Sequence, residues 1–176
     1  MTFESTGFVR IVGTREPSEG PHPAVVAVHG YGQPPMSLVA FALEALPPDT
    51  VLIAPEGPST FYRRPGRTDG ASKGGIGHGW VADPNREATD RRNDALILAA
   101  LDTARRDHDI DAERTYLMAY SQGVGVATHA FASHPDRFAG LVGLAGGVTK
   151  AFRPHLASLR GKPVFWVTCL LYTSPS

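Results

Sequence analysis

Short runs of apolar residues recur along the chain, and longer stretches with helical spacing lie between them. Apolar runs of this length, rich in Val, Ile and Leu, are typical of strands that are buried on both faces of a sheet. Five such strands are predicted, at residues 23–30, 50–57, 114–120, 139–146 and 162–168.

Three helices are predicted in the stretches between these strands. They cover residues 36–46, 83–107 and 122–134. Asp83 followed by Pro84 supplies an N-cap and a favoured first helical residue for the second helix. Pro47 and Pro135 stop the first and third helices, because proline cannot continue a helical hydrogen-bond pattern.

The alternation of strands and helices predicts a single α/β domain. Right-handed crossovers then give a mainly parallel sheet with helices on both faces, a three-layer arrangement whose ligands bind at the carboxyl ends of the strands. Residues 58–79 are rich in Gly, Arg and Ser with little periodicity, so we predict a long loop over one end of the sheet. A loop of this length in a compact domain is more often functional than idle.

Charge and composition restrict the class of partner. Of the 176 residues 42% are hydrophobic and 19% charged, and the 17 basic residues balance the 17 acidic ones. Because the two signs are mixed along the chain, we expect no binding of nucleic acid or of an anionic membrane surface. A small neutral or amphiphilic molecule fits this surface better.

The N-terminal residues and the cysteine content bear on the compartment. The first residues lack the basic start and apolar core of a signal peptide, and no apolar stretch is long enough to span a bilayer, so we expect a cytoplasmic protein without membrane insertion. Cys169 is the only cysteine, which excludes an internal disulfide and a cysteine-based zinc site. No histidines stand at metal-ligand spacing, so we expect neither a metal nor a cofactor.

The segment AYSQG, residues 119–123, places Ser121 where a strand ends and a helix begins. A sharp turn at this point holds a serine in a strained conformation with its Oγ exposed, provided that Ala119 and Gly123 let the strand and helix approach closely. The backbone N–H of Gln122 then points to an oxygen that develops negative charge on a substrate. The alternative is that Ser121 is an ordinary helix N-cap.

Five segments, VHGYGQ, IAPEGP, GHGW, AYSQGV and HPDRFAGLVGLAGG, together resemble the phospholipase/carboxylesterase branch of the α/β-hydrolases, which includes acyl-protein thioesterase-like enzymes. The likeness runs from about Pro23 to Thr168. It implies that Ser121 is the catalytic nucleophile of a serine hydrolase that acts on carboxylic esters. The resemblance further assigns the oxyanion-hole N–H groups to Tyr31 and Gln122, support of the loop and elbow to His29, Gly30, Ala119 and Gly123, and the substrate pocket to Trp80 and Tyr120. Ala119 departs from the family's usual glycine by one methyl group.

Other polar residues are weaker candidates. Glu56 and Asp83 could bind polar groups of a substrate, but capping and loop hydrogen bonds are the simpler interpretation. Arginines 63, 64 and 67 are expected to be solvated loop charges, with contact to an anionic end of a substrate as the alternative.

A serine needs a histidine to take its proton and an acid to orient that histidine, and in this fold the order is Ser, Asp, His. The resemblance places the acid just after residues 163–168, but residues 169–176, CLLYTSPS, contain no acidic residue and resemble translated adapter sequence. We therefore expect an incomplete α/β-hydrolase domain at residues 1–168 that lacks its last strand and helices, followed by a non-native tail. Such a chain should be nearly inactive, and its exposed sheet edge should favour aggregation.

Two other functions stay open at this point. One is a different α/β-hydrolase, such as a polysaccharide-linked esterase or a serine peptidase; a dienelactone hydrolase is disfavoured because it would carry Cys in place of Ser121. The other is a non-catalytic binding protein on the same fold, for which the absence of Asp and His would be genuine.

Overall fold

The computed structural model describes residues 9–12, 20–63, 75–81, 85–147 and 157–168. The strands are β1 (Val9–Val12), β2 (His22–Val28), β3 (Val51–Pro55), β4 (Ser59–Arg63), β5 (Gly75–Gly79), β6 (Ile110–Tyr120), β7 (Gly140–Leu144) and β8 (Val164–Val167). The helices are α1 (Met36–Ala45), α2 (Arg86–Asp107) and α3 (Gln122–Ser133), and a short 3-10 helix covers Pro135–Arg137. Residues 169–176, the predicted tail, lie outside the described residues.

Six strands form the central sheet in the order β1-β3-β2-β6-β7-β8. Strand β1 pairs antiparallel with β3, and all the other pairs in this sheet are parallel. The mainly parallel sheet predicted from the sequence is therefore confirmed, and all five predicted strands belong to it. The register sets Val28 beside Ala119 and Leu144 beside Val167, so the ends of four parallel strands lie at one edge of the sheet.

Helices cover both faces of the sheet, as predicted. Along β2, Val26 and Val28 pack on the face covered by α2 and α3, whereas Val25 and Ala27 pack on the face covered by α1. Successive side chains of a strand point to opposite faces, so a strand covered on both sides must be apolar at every position. This is the physical reason for the uninterrupted apolar runs in the sequence.

The start of α2 differs from the prediction. The helix begins at Arg86, and its N-cap is Asn85, whose side chain accepts a hydrogen bond from the N–H of Ala88 at 3.1 Å. Asp83, the predicted cap, and Pro84 lie outside the described residues. Asn is as good a cap as Asp, so the sequence alone did not favour the third residue of the segment DPN over the first.

The prediction of a loop over residues 58–79 is wrong in part, because its two ends form an antiparallel hairpin of β4 and β5. Glycines at 75, 77 and 79 removed the β-branched signal by which strands are usually recognised. Arg63, expected to be solvated, is half-buried on β4 with its guanidinium close to Gly75. Arginines 64 and 67 lie outside the described residues.

Candidate active site

Ser121 occupies the turn between β6 and α3 with φ 52° and ψ −116°. A residue other than glycine at positive φ carries about 1–3 kcal/mol of strain, which persists only where the surrounding structure imposes it. Here the Ser121 N–H donates to the carbonyl of Leu144 at 2.9 Å, and the Ser121 carbonyl accepts from the N–H of Val124 at 3.1 Å. The side chain is left exposed at the carboxyl edge of the sheet.

The same geometry argues against Ser121 as an ordinary N-cap. The residue stands at the cap position of α3, but its side chain makes no capping hydrogen bond. A capping serine adopts extended backbone angles and accepts a bond from the second or third helical N–H. The Ser121 hydroxyl therefore remains available for a ligand.

The serine turn requires small residues on either side of Ser121. A Cβ on Gly123 would lie 2.3 Å from the carbonyl oxygen of Val28 and 2.6 Å from that of His29. The methyl group of Ala119, in place of the usual glycine, is accommodated within the core, where the residue is fully buried. Strand β2 and the first turn of α3 therefore touch through their backbones.

The loop after β2 lies against the serine turn. A Cβ on Gly30 would be 3.3 Å from Cβ of Ser121 and 2.9 Å from the ring of Tyr120. The next N–H along this loop belongs to Tyr31, and the first N–H of α3 belongs to Gln122. Among the described residues, no hydrogen-bond acceptor is recorded for either group. That these two N–H groups form an oxyanion hole stays a prediction from the resemblance.

His29 supports this loop from inside the core. Its Nε2 accepts a hydrogen bond from the N–H of Gly57 at 2.9 Å, so the proton is on Nδ1, which donates to the carbonyl of Gly30 at 2.8 Å. Burial is the main reason why the pKa of His29 is lowered. The neutral ring is occupied on both nitrogens and is not placed to act as a base.

Trp80 is fully buried, with its ring among the core residues. Its place near a substrate pocket, which the resemblance implies, stays a prediction. Its indole N–H donates to the carbonyl of His29 at 2.8 Å, and its backbone N–H donates to Oε1 of Gln122 at 3.1 Å. Its carbonyl accepts from Nδ2 of Asn93 on α2 at 3.0 Å. Trp80 therefore ties the loop after β2 to the start of α3.

Two polar side chains in this framework were not identified from the sequence. Oε1 of Gln33 accepts a hydrogen bond from the N–H of Gly30 at 3.0 Å, which closes the loop after β2. Asn93, almost fully buried on α2, holds the carbonyl of Trp80. The glutamine of VHGYGQ belongs to a quoted motif, but nothing in the sequence marks Asn93 among the polar residues of α2.

An apolar cleft of about 360 Å³ opens beside Tyr120. It lies where β6, β7 and β8 end, next to α1, and is lined by Gln33, Ser37, Leu38, Phe41, Tyr120, Leu144, Ala145 and Val167. Its volume is at the lower end of the range for small-molecule sites. Tyr120 therefore lines a cleft, and that this cleft receives a substrate stays a prediction.

Three further histidines in the described ranges contact acidic side chains. Nδ1 of His78 lies 3.2 Å from Oε1 of Glu56, close enough for a charge contact but not aligned as a hydrogen bond. Nδ1 of His129 lies 3.1 Å from Oδ2 of Asp94, and Nε2 of His134 lies 3.6 Å from the same oxygen. Among the described residues, no histidine is hydrogen-bonded to Ser121. These residues also contain no group of three or more His, Cys, Asp or Glu side chains that could hold a metal ion.

Solved structures with the same fold include proteins named as esterases. Esterase PE8 is 20% identical, with a TM-score of 0.62 over 92% of this chain and 74% of that one. A carboxylesterase from Mesorhizobium loti is 18% identical, with a TM-score of 0.61 over 92% and 84% of the two chains. A phospholipase/carboxylesterase from Dyadobacter fermentans is 12% identical, with a TM-score of 0.57 over 95% and 88%. At these identities the likeness shows the fold.

The family follows from the sequence itself. Residues 10–158 match the profile of the family described as Phospholipase/Carboxylesterase. No curated protein matched the sequence. No helix in the described ranges is long and apolar enough to cross a membrane. Since the matched segment is most of the chain and contains the serine turn, the chain belongs to the phospholipase/carboxylesterase family of the α/β-hydrolases.

Proposed function

We propose that this chain carries the nucleophile and oxyanion hole of a serine hydrolase that cleaves carboxylic esters through an acyl-enzyme on Ser121. The observation that supports this most is the backbone of Ser121, held at φ 52° with its hydroxyl exposed and without a capping bond. A protein that used this serine only to start a helix would gain nothing from the strain.

In the proposed reaction, Oγ of Ser121 attacks the carbonyl carbon of the ester and gives up its proton to a base. The N–H groups of Tyr31 and Gln122 donate to the resulting oxyanion, where each donor of this kind contributes about 10²–10³-fold to kcat. The C–O bond to the alcohol then breaks, and the alcohol leaves with the proton from the base. Water attacks the acyl-enzyme in the same way and releases the carboxylic acid and free Ser121.

The base and its orienting acid are proposed to come from chain outside the described residues. His29 is neutral and hydrogen-bonded on both ring nitrogens, and His129 is paired with Asp94. Without a base the oxyanion hole and substrate binding leave only a small fraction of the catalysis of a complete triad. We therefore expect the 176-residue chain to be nearly inactive and the product of the intact gene to be active.

The substrate is proposed to be a small neutral or amphiphilic ester handled in the cytoplasm. The apolar lining of the cleft beside Tyr120, with Leu38 and Phe41 from α1, suits a hydrocarbon part of such a molecule. The balanced charge of the chain supports a substrate without strong net charge. The preferred acyl chain length and alcohol group of the substrate would be determined by assay with a series of esters.

The experiment compares two proteins in the hydrolysis of short-chain p-nitrophenyl esters. One is the 176-residue chain, and the other is the product of the intact gene, in which the native sequence continues after residue 168. Ser121→Ala in the intact product should lower kcat/KM by several orders of magnitude. Ser133→Ala is the matched control, because Ser133 lies exposed at the other end of α3. Ester cleavage that survives Ser121→Ala would contradict the proposal.

A non-catalytic binding protein is the second candidate. It is favoured by one observation, the absence of a base at Ser121 among the described residues. If the intact gene encodes no further Asp and His, and its product is inert with every ester while a ligand still occupies the cleft beside Tyr120, this second function is the better account.

A further inference from the structure

The turn that carries the oxyanion donor of Tyr31 is fastened to the β4–β5 hairpin. The N–H of Gly32 donates to the carbonyl of His78 on β5 at 2.8 Å. The ring of Tyr31 stacks on the ring of Phe61 on β4, with centroids 4.7 Å apart and planes 18° from parallel. The first contact fixes the backbone one residue after Tyr31, and the second fixes its side chain.

The hairpin is shaped to receive these rings. Phe61 pairs with Gly77, and a Cβ on Gly77 would lie 3.0 Å from the Phe61 ring. A Cβ on Gly79 would lie 3.2 Å from the ring of Tyr31 and 3.5 Å from that of Phe61. Alternate residues of a strand share one face, so Gly77 and Gly79 lie on the same face of β5. Because they have no side chains, they leave room on that face for the rings of Tyr31 and Phe61. This accounts for the GIGHG pattern in a segment that does not otherwise look like a strand.

We propose that Phe61 is a positioning residue for ester hydrolysis, which holds the backbone N–H of Tyr31 in the oxyanion hole by stacking on its ring. The proposal rests on the proposed function of Ser121. Tyr31 itself is largely exposed, so few other contacts restrain its ring. An oxyanion donor stabilises the transition state fully only when it is already in position. A loop that samples other conformations therefore loses part of this stabilisation.

The first test measures the hydrogen-exchange rate of the Gly32 amide in the 176-residue chain by 15N NMR. Phe61→Leu removes the stacking but keeps an apolar side chain of similar size, and Phe61→Tyr restores the stacking. Tyr62→Ala is the matched control, because Tyr62 is next along β4 and is 87% exposed. Stacking energies of this kind correspond to roughly a 2- to 13-fold change in an opening equilibrium. We expect exchange in Phe61→Leu to rise by that factor, while Phe61→Tyr and Tyr62→Ala exchange as the parent does.

The second test measures kcat and KM in the product of the intact gene. Phe61→Leu should lower kcat by roughly 2- to 13-fold with KM little changed, since the contact matters most when the oxyanion forms. Phe61→Tyr should restore kcat. Equal exchange and equal kcat in Phe61→Leu and Tyr62→Ala would overturn the positioning role. A parent enzyme that cleaves no ester would instead contradict the function proposed for Ser121, and the exchange rates would still decide whether Phe61 holds the turn.

Discussion

Gly123→Ala tests the backbone contact on which the serine turn depends. The added Cβ would meet the carbonyl oxygens of Val28 and His29 at 2.3 and 2.6 Å, and both belong to backbone that cannot rotate away. An ordinary contact begins near 3.4 Å, so α3 and β2 must separate by about 1 Å. Overpacking of this kind costs about 1–3 kcal/mol, which equals or exceeds the gain of about 1 kcal/mol that Ala normally brings to a helix in place of Gly.

The control is Gly125→Ala, two residues further along the same helix, where a Cβ would meet nothing within 4 Å. This variant should be stabilised by up to about 1 kcal/mol. Urea unfolding followed by circular dichroism measures both free energies of unfolding. The same Gly123→Ala change in the intact gene product should also lower kcat/KM, because it moves Ser121 relative to the loop after β2. A Gly123→Ala protein as stable as Gly125→Ala would refute the reasoning.

Three further predictions concern stability. Hydrogen bonding to Asp94 is the main reason why the pKa of His129 is raised in the folded protein. The contribution of His129 to the free energy of unfolding is therefore full below about pH 6.5 and is lost as the pH rises through the raised pKa. The difference in urea midpoint between the parent and His129→Gln should shrink over that range, and a constant difference would contradict this. Trp80→Phe leaves the carbonyl of His29 buried without its donor, which should cost about 1–3 kcal/mol in unfolding free energy, and an unchanged value would show that the bond is unimportant. Asn85→Ala should cost about 0.5–2 kcal/mol and Asn85→Asp almost nothing, as measured by thermal unfolding; equal losses in the two would argue against a side-chain cap.

Much of the fold is predictable because the central strands are covered on both faces. Residues 23–28 and 51–55 must be apolar throughout, and such runs are visible in any sequence. Strand β1 was not predicted, because it lies at the sheet edge and its four residues alternate only weakly between half-buried and exposed positions. The hairpin was missed because glycine is common in turns and rare in strands, whereas here glycine makes room for aromatic rings.

The serine turn could be predicted because its parts are adjacent in the chain. Ala119, Ser121 and Gly123 define a strand end, a turn and a helix start within five residues. The framework behind it could not, since His29 contacts Gly57 and Trp80 across 28 and 51 residues. A motif shows that a tryptophan follows GHG, but only the packing of α2 and β2 decides whether its ring faces a ligand or the core.

The central claim is that Ser121 forms the acyl-enzyme, and the most direct measurement is mass spectrometry of the trapped intermediate. The product of the intact gene would be mixed with a p-nitrophenyl ester, quenched in acid and digested. We predict that the acyl mass is carried by the peptide that contains Ser121, and that this adduct is absent from Ser121→Ala and retained in Ser133→Ala. An active enzyme whose adduct lies on another residue, or persists in Ser121→Ala, would contradict the account.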